Sequence, residues 1–141
     1  MARTRRGSES YRVFISHSSR DRWVCERIKH CVEQQGAVGW LDTVEVPVGG
    51  TVPDSVVRGI RISDELLVLL SPATKSSEWV SAEIGMGMVL DLTIAPVLLH
   101  VDRSELPGMI RDKNPVDINE LDVYLEQLRG RVKAKLTKIA R

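Results

Sequence analysis

The chain has few residues of the kinds that build cross-linked or metal-stabilised proteins. It contains two cysteines and three histidines among 141 residues. Cys25 and Cys31 are six positions apart in one helical pattern and face different directions, which disfavours a disulfide between them. No Cys-x-x-Cys pair and no Cys/His ligand spacing occurs. We therefore expect a cytoplasmic protein of a reducing compartment, without a structural metal.

The sequence also lacks the long apolar segment that would span a membrane. Its longest apolar stretch, 84–101, is interrupted by Asp91 and Pro96, whereas a membrane-spanning helix needs about 20 apolar residues. The first residues are polar and basic, without the apolar core of a secretion signal. A composition of 43% hydrophobic and 28% charged residues is typical of a globular protein. These observations favour one soluble domain that binds no membrane.

Net charge is small, at +1, but it is unevenly distributed. Nine of the 20 Lys and Arg residues lie in the first six and the last thirteen positions, which leaves 11 against all 19 acids between them. An acidic body with basic ends lacks the clustered basic face that contacts nucleic acid. We expect residues 1–8 to form a disordered basic tail, residues 9–141 to form a single domain, and no nucleic acid to be bound.

Short apolar runs alternate with helical patterns along the chain. Strands are predicted at 11–15, 38–41, 65–70, 94–99 and 115–118, and helices at 23–35, 53–62, 77–92 and 120–139. This alternation is typical of βαβ units in a parallel sheet. The predicted fold class is α/β, a flavodoxin-like doubly wound five-stranded parallel sheet in the order 2-1-3-4-5. Such sheets bind ligands beside strand 1, at the carboxyl ends of the strands.

Two positions in this pattern carry further expectations. Pro96 falls in the fourth strand, where proline indicates a bulge, a strand start or an edge. In the last helix, Val132, Leu136 and Ile139 form an apolar stripe among basic residues. We expect this stripe to pack on the sheet rather than on a membrane or nucleic acid.

The loop after strand 1 offers polar groups but no glycine. It therefore differs from the glycine-rich loops that bind dinucleotides or nucleoside triphosphates. Its serines, with His17, Arg20 and Asp21, directly precede a helix, where hydroxyls and amides can hold phosphate or ribose. The alternative is that the serine and aspartate side chains only cap that helix.

A tryptophan and a glutamate lie at helical spacing near the same edge of the sheet. Trp79 and Glu83 are i and i+4 in the helix after strand 3, so they share one face. A carboxylate beside an indole suits a cationic planar ligand, which stacks on the ring and is attracted by the charge. The alternative is a core tryptophan with a surface glutamate, and the spacing alone leaves both open.

Five motifs follow one another along the chain. They are Phe14-Ile-Ser-His-Ser18, Trp40-Leu-Asp42, Glu45-Val-Pro-Val-Gly-Gly50, Val68-Leu-Leu-Ser-Pro72 and Ser77-x-Trp79-x-x-x-Glu83. In this order they resemble the Toll/interleukin-1 receptor (TIR) domains, above all the bacterial branch of that family. The resemblance covers 11–99 by motif and the rest by length, and it implies that 9–141 is one TIR domain.

The resemblance implies an enzyme. Catalytic TIR domains cleave NAD⁺ at the nicotinamide–ribose bond with a glutamate that Glu83 matches, giving nicotinamide and either ADP-ribose or a cyclic isomer. NAD⁺ is then the substrate, and no separate cofactor is required. Nicotinamide leaves as a neutral molecule, so one carboxylate suffices to stabilise the oxocarbenium-like state. The implied substrate-binding residues are Phe14, Ser16, His17, Ser18, Arg20, Trp40, Asp42 and Trp79.

The resemblance also implies assembly. Residues 43–52 correspond to the family's BB loop, with Glu45, Val46, Pro47, Gly49 and Gly50 as its assembly residues. This loop moves when TIR enzymes assemble, which implies a homo-oligomer or other TIR–TIR assembly. A separately encoded sensor or effector in bacterial antiviral defence is a further implied partner. The alternatives are a non-catalytic TIR–TIR interaction module and, third, a nucleoside or nucleotide N-glycosidase.

Overall fold

Apolar strand runs and amphipathic helices assemble as their alternation predicts. The computed structural model describes residues 10–41 and 54–140. Its strands are β1 (Tyr11–Ser16), β2 (Ala37–Leu41), β3 (Glu65–Leu70), β4 (Thr93–Leu98) and β5 (Val116–Asp117), and its α-helices are α1 (Arg22–Gln34), α2 (Asp54–Arg61), α3 (Glu78–Val89) and α4 (Leu121–Ile139). All strand pairs are parallel, in the order β2-β1-β3-β4-β5. The predicted fold class and strand order are confirmed. The basic tail predicted at 1–8 lies outside the described residues.

Both faces of the sheet are covered by helices because side chains alternate along each strand. One face packs against α1 and α4 through residues such as Val13, Ile15 and Leu67. The other face packs against α2 and α3 through Phe14 and Leu66. β3 is buried along its whole length, as its continuous apolar run predicts. No helix among residues 10–41 and 54–140 is long and apolar enough to cross a membrane.

Local sequence sets the ends of the helices. Gly36 follows α1 with φ +92°, the left-handed conformation that glycine adopts readily after a helix. Ser77 caps α3 by accepting a hydrogen bond from the Val80 amide at 3.2 Å. We predicted that this helix runs to residue 92, but it ends at Val89. Asp91 turns into the left-handed region at φ 56°, which closes the helix early.

Pro96 lies inside β4 without breaking it. It is in register with Val68 of β3, whereas the pairing of β4 with β5 begins only at Val97. At Pro96 the strand therefore has a neighbouring strand on one side only. Of the predicted possibilities, a bulge, a strand start or an edge, the structure shows the edge. A missing N–H is tolerated at such a place.

A network of charged and hydroxyl groups joins α4 to the amino ends of β1 and β3. Glu65 is fully buried and receives both a two-pronged ion pair from Arg131, at 2.7 and 3.0 Å, and the hydroxyls of Tyr11 and Tyr124. Burial, followed by the Glu65 carboxylate, raises the pKa of both tyrosines above the usual range. Burial, the largest single cause, lowers the pKa of Arg131, but the hydrogen bonds and charge of Glu65 together with the two tyrosines outweigh burial, and the pKa is raised.

Beside this network, Lys135 donates to the Ser10 carbonyl at 2.6 Å and to Asp64 at 2.9 Å. These contacts explain why the predicted apolar stripe of α4 packs on the sheet only in part. Of the predicted apolar stripe, Val132 is buried, but Leu136 and Ile139 are 46% and 44% exposed. Lys135 already lies at the amino ends of the strands, so the two later residues lie beyond the edge of the sheet.

Candidate active site

The two central strands bring their following loops to one edge. Ser16, the last residue of β1, is in register with Val68 near the end of β3. A 3-10 turn, Ser19–Asp21, leads from β1 into α1, and another, Pro72–Ser76, leads from β3 towards α3. α3 lies close on β3, since a Cβ added to Gly87 would come within 2.9 Å of the Leu66 side chain. Gly87 is near the end of α3 and Leu66 is near the start of β3, so the start of α3 lies towards the carboxyl end of β3, beside both loops.

Glu83 is the chemical centre of this edge. Its side chain is fully buried, and its Oε1 accepts a hydrogen bond from the Ser16 hydroxyl at 2.5 Å. The two residues are 67 positions apart in the sequence, so the parallel sheet and the packing of α3 create the contact. The sequence left open a surface glutamate at this position, and that alternative is wrong. A buried carboxylate is costly unless hydrogen bonds stabilise it, and such costs are characteristic of functional sites.

The loop after β1 is held by its own side chains. His17 is 3% exposed, and its Nδ1 lies 3.1 Å from the Ile15 carbonyl, to which it donates in the Nδ1-protonated tautomer. Ser18 accepts a hydrogen bond from the Arg20 amide at 3.3 Å and caps the 3-10 turn. The Arg20 side chain is exposed. His17 therefore lies next to the buried pair, whereas Arg20 is at the surface.

Asp21 and Ser71 form a contact that the sequence analysis missed. The Ser71 hydroxyl donates to Asp21 Oδ2 at 2.5 Å and so links the loops after β1 and β3. The alternative that Asp21 only caps α1 is wrong, because its side chain makes no capping hydrogen bond to that helix. Ser71 directly follows β3 and Asp21 lies in the loop after β1, and the shared edge of these two loops was the available signal for the contact.

Three aromatic side chains belong to the apolar cluster on the α2 and α3 face of the sheet. Trp79 is half-buried against the apolar cluster of that face, and within the described part of the chain its buried Nε1 has no hydrogen-bond partner. Phe14 is fully buried and meets Trp40 edge to face, with ring centroids 4.8 Å apart and planes at 77°. Trp40 in turn packs on α2 at Gly59. Trp79 therefore lies nearest to Glu83, whereas the Trp40 ring packs towards Gly59 and lines a cavity with Arg12 and Ser63.

The structure thus brings Ser16 and Glu83 into direct contact, with His17 adjacent and Trp79 one turn earlier on α3. Asp42 and the predicted assembly residues lie outside the described residues; the latter are Glu45, Val46, Pro47, Gly49 and Gly50. Across 10–41 and 54–140, no three His, Cys, Asp or Glu residues are placed to share a metal ion. The chemistry that the described residues offer is that of one carboxylate beside hydroxyl and aromatic groups.

A groove of about 400 Å³ opens between the start of α3 and the segment 101–111. It contains neither Ser16 nor Glu83. Lys75 and Glu105 form an ion pair there. The hydrogen bond from Lys75 lowers the pKa of the Glu105 carboxyl, with a contribution from the Asp102 amide. The groove therefore adjoins the candidate active site, because Ser71 and Ile84 line it, but the buried pair of Ser16 and Glu83 lies outside it.

The fold and this edge define the class of the protein as a flavodoxin-like α/β domain with a buried glutamate at the carboxyl ends of its strands. Residues 13–130 match the family model described as TIR domain. The chain belongs to the TIR domain family. We find no match among curated proteins.

Solved structures of TIR-containing proteins are similar to this chain. The TIR domain of the Toll-related receptor TRR-2 from Hydra magnipapillata has a TM-score of 0.66 at 20% identity, over 89% of this chain and 98% of that one. A metazoan TIR-STING receptor from C. gigas has a TM-score of 0.64 at 26% identity, over 86% of this chain and 41% of that one. The TIR domains of the activated Roq1 resistosome have a TM-score of 0.57 at 22% identity, over 93% and 84%. The chain therefore spans about two fifths of the TIR-STING receptor chain.

Proposed function

We propose that this TIR domain is an NAD⁺ glycohydrolase that cleaves the nicotinamide–ribose bond. The observation that carries the proposal is the buried Glu83 at the carboxyl edge, beside Ser16 and on the same helix as Trp79. Nicotinamide, ADP-ribose and a cyclic isomer of ADP-ribose are the candidate products. The substrate supplies its own leaving group, so the site needs no cofactor.

The reaction explains why a single carboxylate is enough. In NAD⁺ the nicotinamide ring is a cation, and it leaves as a neutral molecule, so no acid has to protonate it. Positive charge develops on the ribose as the bond breaks, and a nearby carboxylate stabilises that charge most strongly in a site from which water is excluded. Glu83 has this role in the proposal. Trp79 supplies an aromatic surface for the nicotinamide, and the loop of His17 and Ser18 lies beneath the ribose and phosphates.

The burial of Glu83 supports activation by assembly. The side chain is fully enclosed in this conformation, so a substrate reaches it only after a rearrangement uncovers the edge. We propose that self-association or another TIR–TIR contact drives this rearrangement through the loop that contains Gly49 and Gly50. A separately encoded sensor or effector in antiviral defence is the partner that we propose for the cell.

The test is incubation of concentrated protein with NAD⁺ and measurement of released nicotinamide. Glu83→Gln keeps the shape of the side chain and removes its charge, and we expect the rate to fall by about 100- to 1,000-fold, as for loss of a main electrostatic stabiliser. Glu78→Gln is the matched control, because Glu78 is an exposed glutamate in the first turn of the same helix. Its activity should equal that of the wild type. The specific activity should also rise with protein concentration.

Other results would favour the other functions. Inactivity of both wild type and Glu83→Gln, even under crowding or with candidate partners added, would favour a non-catalytic interaction module. Release of a base from another nucleotide, with NAD⁺ left intact, would favour an N-glycosidase. A screen of nucleosides and nucleotides under the same conditions separates these outcomes.

A further inference from the structure

The contact between Ser16 and Glu83 gives the serine a role other than substrate binding. We propose that Ser16 is the positioning residue of Glu83, and that its hydroxyl holds the carboxylate in one orientation. The inference rests on the proposed function, because it concerns how the same carboxylate is presented to the substrate. It departs from the expectation that Ser16 forms part of the floor beneath the ribose.

The position of Ser16 in the sheet fixes the place of its hydroxyl. It is the last residue of β1, a central strand with neighbours on both sides, and it is in register with Val68. The residue is 1% exposed and Glu83 is not exposed at all, so the hydrogen bond between them is shielded from water. A hydrogen bond to a charged acceptor at 2.5 Å is among the stronger kinds.

Glu83 needs such a donor more than most groups. Its carboxylate stands at the end of a side chain with several rotatable bonds, and electrostatic stabilisation of a transition state requires fixed charges. A hydroxyl has one proton to donate, and that of Ser16 is given to Oε1 of Glu83. Ser18, by contrast, is partly exposed and uses its oxygen to cap a turn. The two serines of the loop motif therefore serve different purposes.

The kinetic test compares Ser16→Ala with Ser16→Thr. Loss of the hydroxyl should lower kcat by about 10- to 100-fold, the range that corresponds to one charge-assisted hydrogen bond, while KM changes less than about twofold. Threonine keeps the hydroxyl and favours a strand, so it should restore most of kcat. Ser63→Ala is the matched control, because that serine is equally buried but donates to the Gly59 carbonyl at the opposite edge. An unchanged or raised kcat in Ser16→Ala would overturn the proposal.

A second measurement does not depend on activity. In a double-mutant cycle, the unfolding equilibrium constant is measured for Ser16→Ala, for Glu83→Ala and for the double variant. The effect of the double variant should differ by about tenfold from the product of the two single effects, as expected for two groups in direct contact. Independent effects would refute the positioning role whatever the kinetics. If the wild type releases no nicotinamide, the proposed function fails, and the cycle still decides whether Ser16 fixes Glu83.

Discussion

At the scale of single residues, two buried glutamates lie at opposite edges of the sheet. Glu65 stands at the amino end of β3 and receives a guanidinium and two phenol hydroxyls. Glu83 stands at the carboxyl edge and receives the hydroxyl of Ser16. The partners of Glu65 neutralise its charge and stabilise the fold, whereas Glu83 is the charge that the proposed reaction uses. Substitutions near Glu65 should therefore change stability.

We predict that Arg131→Ala lowers the free energy of unfolding by about 3 kcal/mol, because it leaves the Glu65 charge buried without its cation. Urea denaturation at neutral pH measures this change. Lys133→Ala is the matched control, since Lys133 is an exposed cation on the same helix, and it should shift stability by less than about 0.5 kcal/mol. Equal effects of the two substitutions would mean that the ion pair contributes nothing specific.

The sequence predicts the identity of these residues better than their partners. The spacing of Trp79 and Glu83 places both on one helix face, and the strand order places Ser16 at the same edge. The hydrogen bond between Ser16 and Glu83 depends on how closely α3 packs on β1 and β3, which no local pattern specifies. Glu65 likewise appears in the sequence only as the first residue of an apolar strand, and its cation is 66 positions away.

At the scale of secondary-structure elements, the packing of β2 on α2 depends on one glycine. A Cβ at Gly59 would lie 1.3 Å from the ring of Trp40, so α2 rests directly on the indole. The same indole meets Phe14, the residue two positions before Ser16 in β1. Displacement of this helix would therefore be transmitted through Trp40 and Phe14 to β1.

We predict that Gly59→Ala destabilises the protein by about 1–3 kcal/mol, as overpacking does, and that it changes the tryptophan fluorescence. Gly130→Ala is the matched control in α4, where an added methyl group meets nothing within 4 Å. There alanine should stabilise the helix by about 0.5–1 kcal/mol, because glycine is the weaker helix former. Stabilisation by both substitutions would contradict the close approach of Trp40 to α2.

Most elements were predictable because their signals are local. The strand runs, the glycine after α1 and the serine cap of α3 each act within a few residues. The errors occur where tertiary structure decides the outcome. α3 ends early through the left-handed turn at Asp91, and α4 extends past the sheet, so that Leu136 and Ile139 stay exposed although their spacing fits a buried stripe.

At the scale of the whole molecule, buried phenol and thiol groups determine how stability depends on alkaline pH. Burial raises the pKa of Tyr11, Tyr124 and Cys25, and a carboxylate adds to the rise at each, from Glu65 at the tyrosines and from Asp21 at the thiol. In the folded protein these groups therefore keep their protons at a pH at which the unfolded chain loses them. Stability then falls as the pH rises above the unfolded values, which are about 8.5 for cysteine and about 10 for tyrosine.

We predict that the contribution of these groups to the free energy of unfolding is constant below about pH 8 and is lost progressively above about pH 9. Urea denaturation between pH 7 and 10.5 measures the slope. Tyr11→Phe removes one of the titrating phenols and should make the curve shallower above pH 9.5, whatever its effect on absolute stability. An identical slope in the variant would show that Tyr11 titrates normally.

The anchoring of α4 has a consequence for how this fold can be joined to other domains. The helix supplies Arg131 and Lys135 to the acids at the start of β3. Replacing the helix by a linker would therefore leave these acids without their cations. A fusion on the carboxyl side has to leave the chain uninterrupted through Lys135. Beyond that point Leu136 and Ile139 are exposed, so a junction there leaves the core and its ion pairs intact. The shortest segment that a fusion has to keep is thus set by the two ion pairs of α4 and not by β5.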